Sequence, residues 1–336
     1  MAKRRTTASV ASMGFRSRAV VLAVLLTLGP ATAGVIPEPA PVPSPTPAIP
    51  GAPAASTPDV VIEAPEPQFA APTRRDRIGR VWAPVYINGR GPFRLVLDTG
   101  ASHSVVTSSV VEALGIQPQA GAALVRGVTG SATVAAVRID SLRVGDLMMN
   151  STSLPIVPDV FGGAQGVLGP EGFADKRILI DFSGDQIVIA RSRGEHAPAG
   201  FLTVPVQLSA PRLLVVDARV GGIRTQAIID TGGQGTLGNV ALRDALSRKP
   251  PAGNVPRDEV QGATDDIQLG DRMLTPAIDL GPVQIRNAHV TYGDMYIFEH
   301  WKLTRRPALL IGMDVIGVFD TLIIDYRRHE LQVRMR

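Results

Sequence analysis

The tripeptide Asp-Thr-Gly stands at Asp98-Thr99-Gly100 and again at Asp230-Thr231-Gly232, each time at the end of an apolar run and each time followed later by two apolar residues and a glycine. One copy would say little, because all three residue types favour turns for local backbone reasons. Two copies in matching surroundings constrain the fold, because an internal duplication is first a statement about architecture. Before the first copy, Tyr86-Ile87-Asn88-Gly89 leads into Phe93-Arg94-Leu95-Val96-Leu97; before the second, Ala218-Arg219-Val220-Gly221-Gly222 leads into Gln226-Ala227-Ile228-Ile229. Asn-Gly and Gly-Gly between apolar runs are hairpin signals, since such turns need positive φ. After the motifs, Val125-Arg126-Gly127-Val128-Thr129 is echoed by Val260-Gln261-Gly262-Ala263-Thr264, Val167-Leu168-Gly169 by Leu310-Ile311-Gly312, and Ile180-Asp181-Phe182 by Ile324-Asp325-Tyr326.

This order predicts an all-β fold of two similar, β-barrel-like lobes, over residues 73–198 and 199–336. Short Val-, Ile- and Gly-rich runs bounded by turn residues support it. Helices are expected only over Ser108 to Leu114, ending at Gly115, and over Asn239 to Arg248, ending at Pro250-Pro251, with short turns after Gly169 and Gly312.

Residues 1–33 read as an export signal, with basic Lys3, Arg4, Arg5, Arg16 and Arg18, an apolar core from Ala19 to Leu28, and Ala31-Thr32-Ala33 as the cleavage site. The apolar core is short for a bilayer span, so cleavage rather than anchoring is expected, with a periplasmic or secreted destination and no stable membrane span afterwards. The leader carries five basic residues and no acidic one, so its loss takes the formal charge from +4 to about −1. Nucleic-acid binding, which needs a concentrated basic surface, then loses its support. With no cysteine in the chain, disulfides, thiol nucleophiles and thiolate zinc sites are excluded. Residues 34–72, rich in Pro and Ala, read as an extended linker or pro-segment. The basic run Arg74, Arg75, Arg77 and Arg80 beyond it reads as a solvated boundary, with a plug over paired carboxylates as the sharper alternative.

Each Asp sits where an apolar strand ends and the chain turns, with Gly two residues on to permit close backbone approach. Packed about an approximate two-fold axis, the lobes bring Asp98 and Asp230 face to face. Two negative charges at hydrogen-bond distance are costly, so one proton is shared. The ionised member then takes a proton from a water between them while the protonated member donates to a substrate carbonyl. Titration belongs to the pair.

These residues resemble the aspartic protease superfamily, and its retropepsin-like bacterial members more closely than the secreted pepsins. The matching positions are Asp98-Thr99-Gly100-Ala101 and Asp230-Thr231-Gly232-Gly233, with Val167-Leu168-Gly169 and Leu310-Ile311-Gly312 as bracing loops. The resemblance runs from about Trp82 to the end. It implies the bilobal fold of that family, catalytic Asp98 and Asp230, support of the active-site loops by Thr99, Gly100, Thr231 and Gly232, and flaps over the substrate that include Val128, Thr129, Gly130, Ala263 and Thr264. It also implies a peptide or protein substrate, no cofactor and no metal, and a monomer that forms the dimer-like arrangement within one chain. Ala101 and Gly233 stand where the pepsin branch has Ser. Losing that donor leaves the carboxyls with higher pKa values, so the expected pH optimum is weakly acidic to neutral. An exported aspartic endopeptidase is the leading reading, and a non-catalytic peptide-binding module with the same cleft is the alternative.

Three other features have local readings. Gly233-Gln234-Gly235-Thr236-Leu237-Gly238 fits a dinucleotide fingerprint, but no apolar strand leads into the acidic residue at the required distance, Asp258. His103, flanked by Ser102 and Ser104, lacks a nucleophile elbow and reads as a polar turn. The aromatic stretch from Tyr292 to Trp301 reads as core or lobe-interface packing, with a subsite or lid as the functional alternative.

Overall fold

Hairpins joined by tight turns build both halves. Asn88 and Gly89 take φ of 49° and 73°, and Gly221 and Gly222 take 54° and 85°, the positive values that match the twist of the flanking strands. Trp82–Ile87 thereby pairs antiparallel with Arg90–Leu97, and Leu213–Val220 with Ile223–Ile229. The computed structural model describes residues 18–20, 25–26, 60–63, 79–209, 212–247 and 255–336. Strands make up 51% and helices 9%, with a closed six-stranded barrel among the sheets, so the fold is all-β and bilobal.

The duplication read from the sequence reappears as a duplicated strand topology. In the first half, Gly166–Leu168 lies parallel to Arg90–Leu97 and antiparallel to Val105–Thr107. In the second, Ala308–Ile311 lies parallel to Ile223–Ile229 and antiparallel to Leu237–Gly238. Each motif strand thus lies beside the strand that ends in the apolar-apolar-Gly sequence, and its last three residues, Leu95 to Leu97 and Ala227 to Ile229, are all buried, as their apolar character requires. Helix α1, Ser108–Leu114, ends at Gly115 in the left-handed conformation. Helix α2, Val240–Leu246, is capped by Asn239, whose side chain accepts the Leu242 N–H. It stops two residues short of the Arg248 expected from the sequence. The short helices α3, Tyr296–His300, and α4, Met313–Ile316, complete the helical content of the described residues.

A five-stranded sheet joins the halves. Its order is Gln186–Arg191, Lys176–Asp181, Thr321–Asp325, Glu330–Arg334 and Leu202–Pro205, so Lys176–Asp181 of the first lobe hydrogen-bonds directly to Thr321–Asp325 of the second. One continuous apolar cluster, from Val81 to Val333, runs through both halves. A second holds Met295, Ile297, Phe298 and Leu310, and a third Ala101, Val105, Phe161 and Val167.

One expectation is corrected here. Of residues 34–72, expected as an extended linker or pro-segment, the structure describes Val60–Glu63, a strand parallel to Val283–Arg286, in keeping with the β-branched run Val60-Val61-Ile62. Arg80 was expected on a solvated boundary and is fully buried. Arg74, Arg75 and Arg77, the cleavage site at residues 31–33 and most of the leader and linker lie outside the described residues.

Candidate active site

Each Asp enters its loop under control of the neighbouring strand. The Asp98 N–H donates to the Leu168 carbonyl at 3.0 Å, and the Asp230 N–H to that of Ile311 at 2.9 Å. The next residue ties the loops together. Thr99 Oγ1 donates to the Ile229 carbonyl at 2.6 Å and accepts the Thr231 N–H at 3.1 Å. Reciprocally, Thr231 Oγ1 donates to the Leu97 carbonyl at 2.7 Å and accepts the Thr99 N–H at 3.1 Å. Both threonines are fully buried, so each hydroxyl satisfies two backbone groups of the opposite lobe that water cannot reach.

The carboxyls are held in the same symmetric way. Asp98 Oδ1 accepts the N–H groups of Gly100 and Ala101 at 2.8 and 2.9 Å; Asp230 Oδ1 accepts those of Gly232 and Gly233 at 2.9 and 3.0 Å. The positions that carry no hydroxyl therefore still donate, through their backbone. Each Oδ2 is buried with no further donor on it, and each carboxyl packs against the glycine of the opposite motif, Asp230 against Gly100 and Asp98 against Gly232. Gly100 and Gly232 make this approach possible. A Cβ at Gly100 would sit 2.7 Å from Asp230 Oδ1, and one at Gly232 would press still closer on the Asp98 carboxyl. Burial raises both acids: it pushes Asp98 up to about 7, against hydrogen bonds and the charge of Arg80, and holds Asp230 well above the usual carboxylate range, where the charge of Asp98 adds to the effect. One shared proton is the low-energy state of such a pair.

Six more residues surround the pair, of which the sequence reading named only Arg80, in a basic run that could plug paired carboxylates, Ser104, in a polar turn, and Thr236, in the glycine-rich run. Six positions after each Asp stands a hydroxyl, Ser104 or Thr236, and two positions after each bracing Gly stands an acid, Glu171 or Asp314. The Ser104 N–H donates to Glu171 Oε1 at 2.6 Å and the Gly169 N–H to Ser104 Oγ at 3.0 Å. In the other lobe the Thr236 N–H donates to Asp314 Oδ2 at 3.0 Å, and the Gly312 N–H to Thr236 Oγ1 at 3.1 Å. These bonds fasten each motif loop to its bracing loop. Burial pushes Glu171 up to about 7 and Asp314 to about 6. Eighteen positions before each Asp stands an arginine that crosses to the other lobe. Arg80 Nη1 donates to the Gly232 carbonyl at 3.4 Å, and Arg212 Nη1 to that of Pro170 at 3.3 Å. Equal offsets from the two motifs were the available signal for all six residues.

The expected flap residues form two loops that meet. The first lies between Gln119–Arg126 and Ser131–Val144, the second between Arg257–Gln261 and Ile267–Leu274. Thr129 Oγ1 donates to the Asp266 carbonyl at 2.8 Å and accepts the Gly262 N–H at 3.1 Å. Thr264 Oγ1 holds Asp266 at 2.9 Å, and Gly130 backs onto the same carboxylate. The apolar tips are exchanged: Val128 of the first lobe joins the second-lobe cluster, and Ala263 of the second joins the first-lobe cluster of Ala101 and Val105. The aromatic stretch serves this contact, since the Ile297 N–H donates to the Val128 carbonyl at 3.0 Å and Ile297 and Phe298 are fully buried. His103 is held in a local turn by Ser102 Oγ at 3.1 Å. Among the described residues no cluster of His, Asp and Glu is arranged to hold a metal ion, and no helix is long and apolar enough to cross a membrane.

A family model described as aspartyl protease matches the chain at residues 83–171 and 216–315, more than half of its 336 residues. Each matched segment contains one Asp-Thr-Gly motif and one bracing loop. No curated protein matches the chain.

Proposed function

The chain belongs to the aspartyl protease family, and from that premise we propose that it is an exported endopeptidase in which Asp98 and Asp230 activate water against a peptide bond. The observation that carries this reading is the buried carboxyl pair itself. Each acid has one oxygen fixed by two N–H groups and the other left without a further donor. The fixed oxygens set the carboxyl planes, and the remaining pair of oxygens is free to hold one proton and one water.

In the proposed cycle the ionised acid removes a proton from the water as its oxygen attacks the scissile carbonyl carbon. The protonated acid gives its proton to the carbonyl oxygen, so a neutral tetrahedral diol forms and the pair is again singly protonated. On collapse the diol hydroxyl gives its proton to the Asp230 carboxylate, protonated Asp98 gives its proton to the amide nitrogen, the C–N bond breaks, and the amine and carboxylic acid products leave a singly protonated pair. The charge of Arg80 favours the ionised form at Asp98, which makes Asp98 the base and Asp230 the acid in the first step. Thr99, Gly100, Thr231 and Gly232 position the pair. Val128, Thr129, Gly130, Ala263 and Thr264 cover an extended substrate whose backbone pairs with the flap strands. The lobes at residues 73–198 and 199–336 supply both halves of the site, so a monomer suffices. With burial raising both acids, the expected optimum is weakly acidic to neutral.

The test is incubation of the full chain with a mixed peptide library across pH, beside Asp98→Asn and Asp230→Asn. Cleavage by the parent that either substitution abolishes supports the reading. Cleavage that survives both refutes it, and binding without turnover at every pH makes the protein a peptide-binding module instead.

A further inference from the structure

An apolar space lies beside each carboxyl, and the repeat builds it twice. In the first lobe its walls are Val96, two residues before Asp98, Val105 on the strand after the motif, Val125 of the flap strand and Val167 of the bracing strand. Ile228, Leu237, Val260 and Leu310 hold the matching positions in the second lobe and share one cluster in the same way. The flap tips cross over, Ala263 entering the first space and Val128 the second. Ala101, whose N–H donates to Asp98 Oδ1 at 2.9 Å, lies in the first space as well. Each space is thus bounded by a motif loop on one side and by flap residues on the other. A side chain of a peptide lying between flap and carboxyl would enter there.

The walls repeat, but their contents do not. The first space holds Phe161 and the second Ile297 and Phe298, all fully buried. Phe161 comes from the loop between Leu147–Val157 and Gly166–Leu168. Local turns shape that loop, with the Val160 N–H donating to the Pro158 carbonyl at 3.0 Å and the Ala164 N–H to that of Phe161 at 3.3 Å. Ile297 and Phe298 come instead from helix α3. Asn239 Nδ2 fixes the chain after it, donating to the carbonyls of Leu303 and Arg306, both at 2.7 Å. An interior packed to the density of an organic crystal has no room for a second large side chain.

We propose that Phe161 and Phe298 are specificity-determining residues: each ring occupies the side pocket of its lobe, so the peptides cut are those that present small residues, Gly, Ala or Ser, to both pockets. The inference rests on the protease reading of the carboxyl pair and adds the class of peptide to it. A large residue would have to expel a ring from wholly apolar surroundings into water, which opposes its entry. A small one requires no such exchange.

The test is a library of random peptides, with cut sites read by mass spectrometry for the parent, Phe161→Ala and Phe298→Ala. Parent sites should carry small residues on both sides of the cut. Phe161→Ala should admit Leu, Met or Phe on one side only, raising kcat/KM for such peptides at least tenfold, and Phe298→Ala on the other side only, because an extended peptide crosses both lobes. Phe161→Val keeps a buried apolar side chain and should relax the same side to a smaller degree, which serves if the alanine variant does not fold. If the parent already accepts large residues on both sides, or the truncations cleave with an unchanged profile, the proposal is overturned while the protease reading stands. If no form cleaves, the protease reading fails, and retention of the library on the immobilised proteins decides: large apolar residues enriched by Phe161→Ala over the parent support the pocket, and identical profiles overturn it.

Discussion

Replacing Thr99 by Val keeps the shape of a buried side chain and deletes one oxygen. That oxygen serves the Ile229 carbonyl at 2.6 Å and the Thr231 N–H at 3.1 Å, and no water reaches either group because both residues are buried. Each orphaned group costs about 1–3 kcal/mol, so Thr99→Val should lose about 2–6 kcal/mol, a large share of the 5–15 kcal/mol roughly typical of a folded protein. Thr99→Ser keeps the oxygen and loses one methyl, about 1 kcal/mol. The same contrast is expected at Thr231, whose oxygen serves Leu97 and Thr99. The assay is urea unfolding at fixed pH, reading the midpoint at constant slope. In parallel, kcat should fall about 100-fold for Val, because the loops it frees carry the carboxyls and a displacement of about 1 Å costs that much. If Val is tolerated as well as Ser at either position, the crossed hydroxyls do not hold the loops and the argument fails.

Three further outcomes are expected. Gly232→Ala and Gly100→Ala should each suppress hydrolysis, the first more strongly because its Cβ would press closer on the opposing carboxyl; parent-like turnover in either would show that the acids do not need this approach. Glu171 has its folded pKa raised to about 7 by burial, against an ordinary value of 4.5, so it favours folding below pH 4.5 and loses that contribution as pH rises toward 7. Burial lowers His103 and His300, which act oppositely in that window. The measurement is therefore the stability difference between parent and Glu171→Gln, which should move against the parent by up to about 1.4 kcal/mol per pH unit; a flat difference refutes it. Arg80→Met should shift the acid limb of the pH-activity profile upward, with Arg80→Lys restoring part of the shift, since the charge of Arg80 lowers the Asp98 pKa; an unmoved limb refutes that role.

The architecture was legible because duplication writes itself twice. The hairpins at Asn88-Gly89 and Gly221-Gly222, the helix closed by Gly115 and the loops at Gly169 and Gly312 all rest on local backbone rules that a repeat reinforces. The meeting of Asp98 with Asp230 was legible only as a consequence of assumed two-fold packing. Glu171, Asp314 and Arg212 were hidden because an acid near a turn, or an arginine before a strand, reads alone as surface. Arg80 was misread because it ends a basic run whose other members suggest solvent. Val60–Glu63 was missed because its partner lies more than two hundred residues away, and edge pairing of that kind leaves no periodic mark. The exchange of Val128 and Ala263 between clusters depends on two loops from distant parts of the chain meeting, which no local pattern encodes.

The five-stranded sheet shared by the two halves limits how this molecule can move. Lys176–Asp181 is zipped along five residue pairs to Thr321–Asp325, so prising the halves apart would tear a ladder rather than swing a hinge. Heat or urea should accordingly melt the body in one step.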